Sequence, residues 1–314
     1  MTMISTSPRL LYVIAAFTVM ATVTACHRTQ DGAHGQAFAT PQVAAAELAK
    51  AVKSGDLAKV VAIFGSDAQS LVDTSDTATA RRNQQVFSAA FAEHWTLEDA
   101  GPDRKTLVIG FEEWPFPIPL VKDGRQWRFD TGAGKEEVLA RRIGRNELAA
   151  IKVARTYVIA QQLYAKHPHD GKRTGIYAAA FRSDPSAQNG LYWQARHGQR
   201  PSPLGELLSA ASFDALPRHA SGEGPTPFHG YYYRILTAQG PAGPGGARNY
   251  VVNGELTGGF ALVAWPAQYD VTGIMTFMVN QDRVISQRDL GPDTATAVQA
   301  ISTYDPDSNW AAVH

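Results

Sequence analysis

The sequence predicts an α+β fold in two parts. N-terminal helices lead into a curved antiparallel meander, and a long helix then packs on a C-terminal antiparallel sheet. Three observations carry this reading. Phe260–Trp265 and Gly273–Val279 are short apolar runs parted by turn residues, and Val284–Gln287 resumes the strand pattern after the polar turn Asn280-Gln281-Asp282-Arg283. The first two runs are almost continuously apolar, which places them in the middle of a sheet covered by other elements. Lys135–Lys166, the longest helical stretch, supplies a cover.

The elements follow in order. Thr40-Pro41 starts a helix, with Thr40 as N-cap and proline in the first turn. Val43, Ala46, Leu48 and Val52 form its expected buried set, and Ser54-Gly55-Asp56 ends it. Leu57–Phe64 is a second helix with Leu57, Val60, Val61 and Phe64 inward. Asp76–Trp95 is a third, with Val86, Phe87, Ala90 and Phe91 spaced as a core stripe. Thr106–Phe111 reads as a strand. In Trp114–Val121 prolines alternate with large apolar residues, which suits an extended edge because proline cannot donate to a ladder. Asp123-Gly124 turns a hairpin whose return strand carries Trp127 and Phe129.

In the long helix, Leu148, Ile151, Ala154, Val158 and Ala165 make one stripe, with Val153, Tyr157, Ala160 and Tyr164 beside it. Glu137 and Arg141 stand at i, i+4. Ile143-Gly144-Arg145-Asn146 offers a break with Asn146 as a fresh N-cap, and His167-Pro168 is the stop. His167–Pro227 is loop-rich, with one helical piece at Leu204–Leu216. Phe228–Thr237 is a strand, Gln239–Arg248 a Gly/Pro loop, and Asn249–Val252 opens the final meander.

The first residues speak to compartment. Arg9 precedes the apolar stretch Leu10–Val23, which falls short of the ~20 residues that span a bilayer. Val23-Thr24-Ala25-Cys26 then resembles the bacterial lipoprotein lipobox, with Cys26 as the lipidated first residue of the mature chain. Cys26 is the sole cysteine, so an internal disulfide is excluded. His27 stands where an inner-membrane lipoprotein often carries aspartate, which favours the outer membrane, with the body facing the periplasm. The organisation expected is a signal peptide over 1–25, a flexible tether over 26–40, an α+β domain over 41–134 and a helix-plus-sheet domain over 135–314.

Function is harder to read. Lys+Arg and Asp+Glu are 29 each, so no net field favours nucleic acid. No GxSxG, P-loop or dinucleotide fingerprint occurs. His167-Pro168-His169 supplies two metal ligands at most and reads as an exposed polar loop. Glu112 and Glu113, neighbours on a strand, would face opposite ways and make a poor acid–base pair. Arg141, Arg142 and Arg145 form a basic helix face. Tyr231, Tyr232 and Tyr233 alternate between sheet faces. Phe87, Phe91, Trp114 and Trp127 are the residues expected to line a pocket in the first domain. No catalytic set, metal or cofactor is expected, and the expected partners are the membrane, through the lipid, and other envelope proteins.

Helices followed by a meander ending in glycine, a short step and Trp127 resemble a cystatin-like or nuclear-transport-factor-like cone. Arg142–Leu148, Gly230–Pro241, Gly258–Tyr269, Thr272–Asp282 and Asp289–Thr294 together resemble the bacterial exported-protein family known as Domain of Unknown Function 2950. That likeness implies an exported protein and no activity. Asp270 and Arg283 stand where glycine is expected in its turns. The second half is also similar, more weakly, to the globular heads of type IV pilin-like and pseudopilin proteins, which lay a helix across an antiparallel sheet.

Overall fold

The computed structural model describes residues 35–68, 77–195, 197–207 and 226–313. The signal segment, Cys26 and most of the tether lie outside them. Two hydrophobic cores organise the described chain, and one helix starts against the first and packs into the second.

The first core is built by α1 (Pro41–Ser54), α2 (Leu57–Phe64) and α3 (Thr77–Glu93) packed on a sheet. Thr40 caps α1 by accepting from Val43 N at 3.2 Å, and Asp56 caps α2 by accepting from Lys59 N at 3.1 Å. Strands β1 (Trp95–Asp99), β2 (Arg104–Ile109), β3 (Trp114–Pro115), β4 (Leu120–Asp123) and β5 (Gln126–Phe129) follow. β1 pairs along β2; β3 and β4 pair with opposite ends of β2, and β5 closes a hairpin on β4. The proline-rich stretch therefore runs along β2 as an interrupted partner, which suits a chain short of amide donors. Leu107, Ile109, Leu120 and Phe129 meet Leu48, Ile63, Phe64 and Phe91 in the interior.

Four expected inward residues are exposed: Val43, Ala46, Leu57 and Val86. The buried stripe of α1 runs instead through Pro41, Ala44, Ala45, Leu48, Ala51 and Val52. Trp95 opens a strand rather than closing a helix, because α3 ends at Glu93. Glu112 and Glu113 fall in a turn, with Glu113 at φ 53°, not on a strand.

Helix α4 (Thr131–Ala165) is continuous over 35 residues. Asp130 caps it by accepting from Ala133 N at 3.0 Å. Its first turn abuts the first core. The Thr131 hydroxyl donates to Phe64 O at 2.6 Å, and Gly134 lies so close to Ile118 that an added Cβ would stand 2.6 Å from its Cγ1. The boundary expected at 134/135 thus falls inside the helix. The break expected at 143–146 does not occur. Asn146 reaches outward and donates to Thr272 O at 2.9 Å, so it does not cap its own helix. The next residue, Glu147, accepts from Ile274 N and Met275 N at 2.9 and 3.0 Å. Glu137 pairs with Arg141 at 2.7 Å, as the spacing predicts.

The second core sits where the rest of α4 meets a five-stranded antiparallel sheet. Its strands are β6 (Tyr231–Leu236), β11 (Ala261–Pro266), β12 (Met275–Asn280), β13 (Ile285–Asp289) and β14 (Ala311–Ala312), ordered β14-β13-β12-β11-β6. Every residue of β11 is buried, as its unbroken apolar run predicts. Direct pairing puts Tyr231, Tyr233, Leu262, Ala264 and Phe277 on one face and Tyr232, Arg234, Val263, Trp265 and Met278 on the other. α4 covers the first face: the Tyr157 ring meets Phe260 at 5.7 Å, and its hydroxyl donates to Ala261 O at 3.1 Å. The segment containing α6 (Thr294–Ala297) covers the other. Arg234 there donates to Val298 O and Ile301 O, both at 2.6 Å. The buried stripe of α4 runs through Ala150, Val153, Ala154, Tyr157, Val158, Gln161 and Tyr164, while Leu148, just before it, is exposed.

Two small ribbons stand off the main sheet. β7 (Ala238–Gln239) pairs β8 (Arg248–Asn249), and β9 (Val251–Val252) pairs β10 (Glu255–Leu256). Asn249–Val252 therefore does not open the meander. Of the helix expected at Leu204–Leu216, the described part is α5 (Pro203–Leu207), and the remainder lies outside the described residues.

Candidate functional site

Of the expected pocket residues, Phe91 is buried in the first core, Phe87 and Trp127 pack against it, and Trp114 is exposed. Phe87, Phe91 and Trp114 come together: Phe87 meets Phe91 at 5.2 Å edge-on, Trp114 at 6.3 Å and Phe116 at 5.5 Å. Arg141 lies over the Trp114 ring at 5.7 Å and donates to Pro115 O at 2.7 Å. Trp127 stands on β5 and exchanges backbone bonds with Phe38 at 2.8 and 2.7 Å, which fixes the end of the tether to the sheet.

A different set converges where α4 ends. The helix stops at Ala165, before the residue preceding Pro168, as the steric demand of proline requires. The chain then folds back over the last turn. His169 donates from Nε2 to Tyr164 O at 2.9 Å, and its ring stacks on the Tyr164 ring at 3.9 Å. Its Nδ1 faces Gln188 Oε1 at 3.5 Å. Far from sitting in an exposed loop, His169 is only 7% exposed. The Tyr164 hydroxyl donates to Gln188 O at 2.7 Å, and Asp170 accepts from Gln188 N at 2.8 Å. Trp193 packs edge-on to His169 at 5.4 Å and donates from Nε1 to Arg200 O at 3.2 Å. His167, Pro168, His169, Gln188, Trp193 and Arg200 surround a half-open cleft of about 200 Å³.

Desolvation holds the His167 imidazole below its usual pKa, and the charges of Arg200, His169 and Lys166 push the same way. Burial, then the Asp170 carboxylate, pushes the Tyr164 hydroxyl up to about 12, so it remains a protonated donor near neutrality. With His169 Nε2 bonded to a carbonyl, Nδ1 is its one remaining ring nitrogen, and it faces Gln188 Oε1. Among the described residues no group of three or more His, Cys, Asp or Glu side chains converges as a metal site. Nor does this cleft place a nucleophile beside a base.

Two further side chains escape sequence reasoning. Asn146 and Glu147 tie α4 to the turn before β12, and Gly230 must be glycine beside them: its φ is 75°, and a Cβ would lie 2.5 Å from Asn146 Nδ2. The signal was present in the strings Arg142–Leu148, Gly230–Pro241 and Thr272–Asp282, which the fold brings to one place. Burial, reinforced by the Glu147 charge, raises the Tyr231 pKa above the usual range there. The tyrosine run alternates as predicted, with Tyr231 and Tyr233 buried and Tyr232 against Trp265 at 5.8 Å.

Comparison with curated proteins and with solved structures returns no match. A family model described as a protein of unknown function, DUF2950, matches residues 35–313, so the chain belongs to that family.

Proposed function

We propose that the protein is a lipid-anchored component of the bacterial cell envelope, held in the outer membrane through acylated Cys26 and facing the periplasm. Its body serves as a structural or interaction module rather than a catalyst. The observation that carries this reading is the sole cysteine, placed directly after Leu10–Val23 in the string VTAC. Acylation gives a lone thiol in an exported chain a use, and several acyl chains on one residue hold where a single chain would not. No described helix is long and apolar enough to cross a membrane, so in this reading the lipid does the anchoring.

The test is Cys26→Ser with membrane fractionation and mass analysis of the N-terminal peptide. The wild type should sediment with membranes and carry acyl mass on Cys26, and the variant should lack that mass and its lipid-dependent attachment. A soluble, unmodified wild type would end the lipoprotein reading.

A second reading, small-molecule binding, draws on the cleft beside Trp193 rather than on Phe87, Phe91 and Trp114, whose rings contact one another.

A further inference from the structure

We propose that the cleft at the C-terminal end of α4 binds a small anion carried on a flat ring, such as an aromatic carboxylate. This rests on the small-molecule reading and is independent of how the chain is anchored.

Size comes first. The cleft holds about 200 Å³, below the ~300–1,000 Å³ of pockets for drug-sized ligands. One ring with one charged substituent suits that space. Shape comes next. Trp193 and Pro168 give flat apolar walls, and the imidazoles of His167 and His169 add planar surfaces. The floor is rigid, because His169 is both stacked on Tyr164 and bonded to its carbonyl. The Trp193 indole, in turn, fixes the backbone that carries Arg200.

Charge decides the ligand class. Arg200 lines the cleft with His167, and burial, then the charges of Arg200, His169 and neighbouring Lys166, disfavours a further positive charge on His167. Arg200 makes no ion pair among the described residues. The neighbouring carboxylate, Asp170, does not line the cleft and accepts from Gln188 N instead. A carboxylate at the cleft would relieve this crowding of positive charge, and a guanidinium offers it two parallel N–H donors. A metal cation would meet the opposite field.

The experiment is ligand-observed NMR on the full chain, titrating benzoate against benzamide, which keeps the ring and removes the charge. Benzoate should saturate, and benzamide should bind at least ~10-fold more weakly. Arg200→Ala should weaken benzoate by a similar factor without moving the thermal midpoint, since the bond to Trp193 uses the Arg200 backbone. Arg200→Gln should do the same and guards against a folding artefact in the alanine variant. The proposal is overturned by no saturable benzoate signal, by equal binding of benzamide, or by full benzoate affinity in both Arg200 variants. Failure here leaves Cys26 acylation untouched, so the two readings fall separately.

Discussion

Beside the first core, one polar side chain is buried among the described residues: Thr131, with its single bond to Phe64 O. The second core buries Gln161, His169, Gln239, Thr276, Asn280 and Ser286. The difference follows from what each core must enclose. In the first, helices and a compact sheet satisfy their own backbone, and local caps such as Thr40, Asp56 and Asp130 finish the helix ends. In the second, loop segments pass through the interior, and their amides have no ladder partner. Side-chain amides supply it. Gln161 donates to Ala178 O at 2.8 Å and accepts from Ala178 N at 2.9 Å. Gln239 donates to Pro244 O and Gly246 O at 2.8 and 2.7 Å, which closes the Gly/Pro loop. Apolar packing suffices where chain is regular; buried amides are needed where irregular chain is brought inside.

The largest expected effect tests apolar packing in the second core. Phe277 is 1% exposed, and truncation to alanine should cost about 3–5 kcal/mol, a large share of the ~5–15 kcal/mol that holds a domain. A chemical melt reads this directly. A shift below ~1 kcal/mol would mean that the face of β12 under α4 is loosely packed. Gln281→Ala is not a neutral control for it, because Gln281 Oε1 accepts from Phe260 N at 3.2 Å.

Next in size is the contrast itself. Gln161→Leu keeps the volume but strands both backbone groups of Ala178, at about 1–3 kcal/mol each. Thr131→Val strands only one bond of Phe64 O and should cost about 1 kcal/mol. If urea titrations of the two variants move the midpoint equally, the second core does not depend on its amides as argued.

The smallest expected effect concerns acid. Partial desolvation, then the Lys152 ammonium, holds His229 below its ordinary value of 6.5. The unfolded chain therefore binds more protons below that pH, and stability is lost as pH falls from about 6.5 toward the folded pKa. His167 is shifted the same way and adds to the loss. Thermal midpoints at neutral and mildly acidic pH should show a shallower decline in His229→Asn, a residue that tolerates the local φ of 50°. An unchanged slope would remove His229 from the account.

Much of this architecture was legible because it lives in local pattern. β11 and β12 follow from apolar runs between turn residues, Thr40-Pro41 from capping chemistry, and Asp123-Gly124 from hairpin geometry. The two turn positions expected to prefer glycine, Asp270 and Arg283, adopt φ of 58° and 68°, the region glycine favours. Helix phase was less legible. Leu148 and Val86 fit apolar spacing yet face solvent, since spacing does not say which side a neighbour occupies. The cleft was hidden for a similar reason. His167 and His169 are visible as a pair, but Trp193 and Arg200 reach them only through a loop path that no periodicity encodes.

One consequence follows from the continuity of α4. A helix of 35 residues is about 50 Å long, and its first turn is bonded to Phe64 while Asn146 and Glu147 are bonded to the turn before β12. The two attachments therefore share one angular reference. A residue inserted between Lys135 and Arg142 would advance the helix by about 1.5 Å but rotate everything beyond it by about 100°. Asn146 and Glu147 would then point away from Thr272 and Ile274. Four inserted residues would bring them back to within about 40° of their bearing at a cost of ~6 Å in reach. Angle, more than distance, is what this helix transmits from one core to the other.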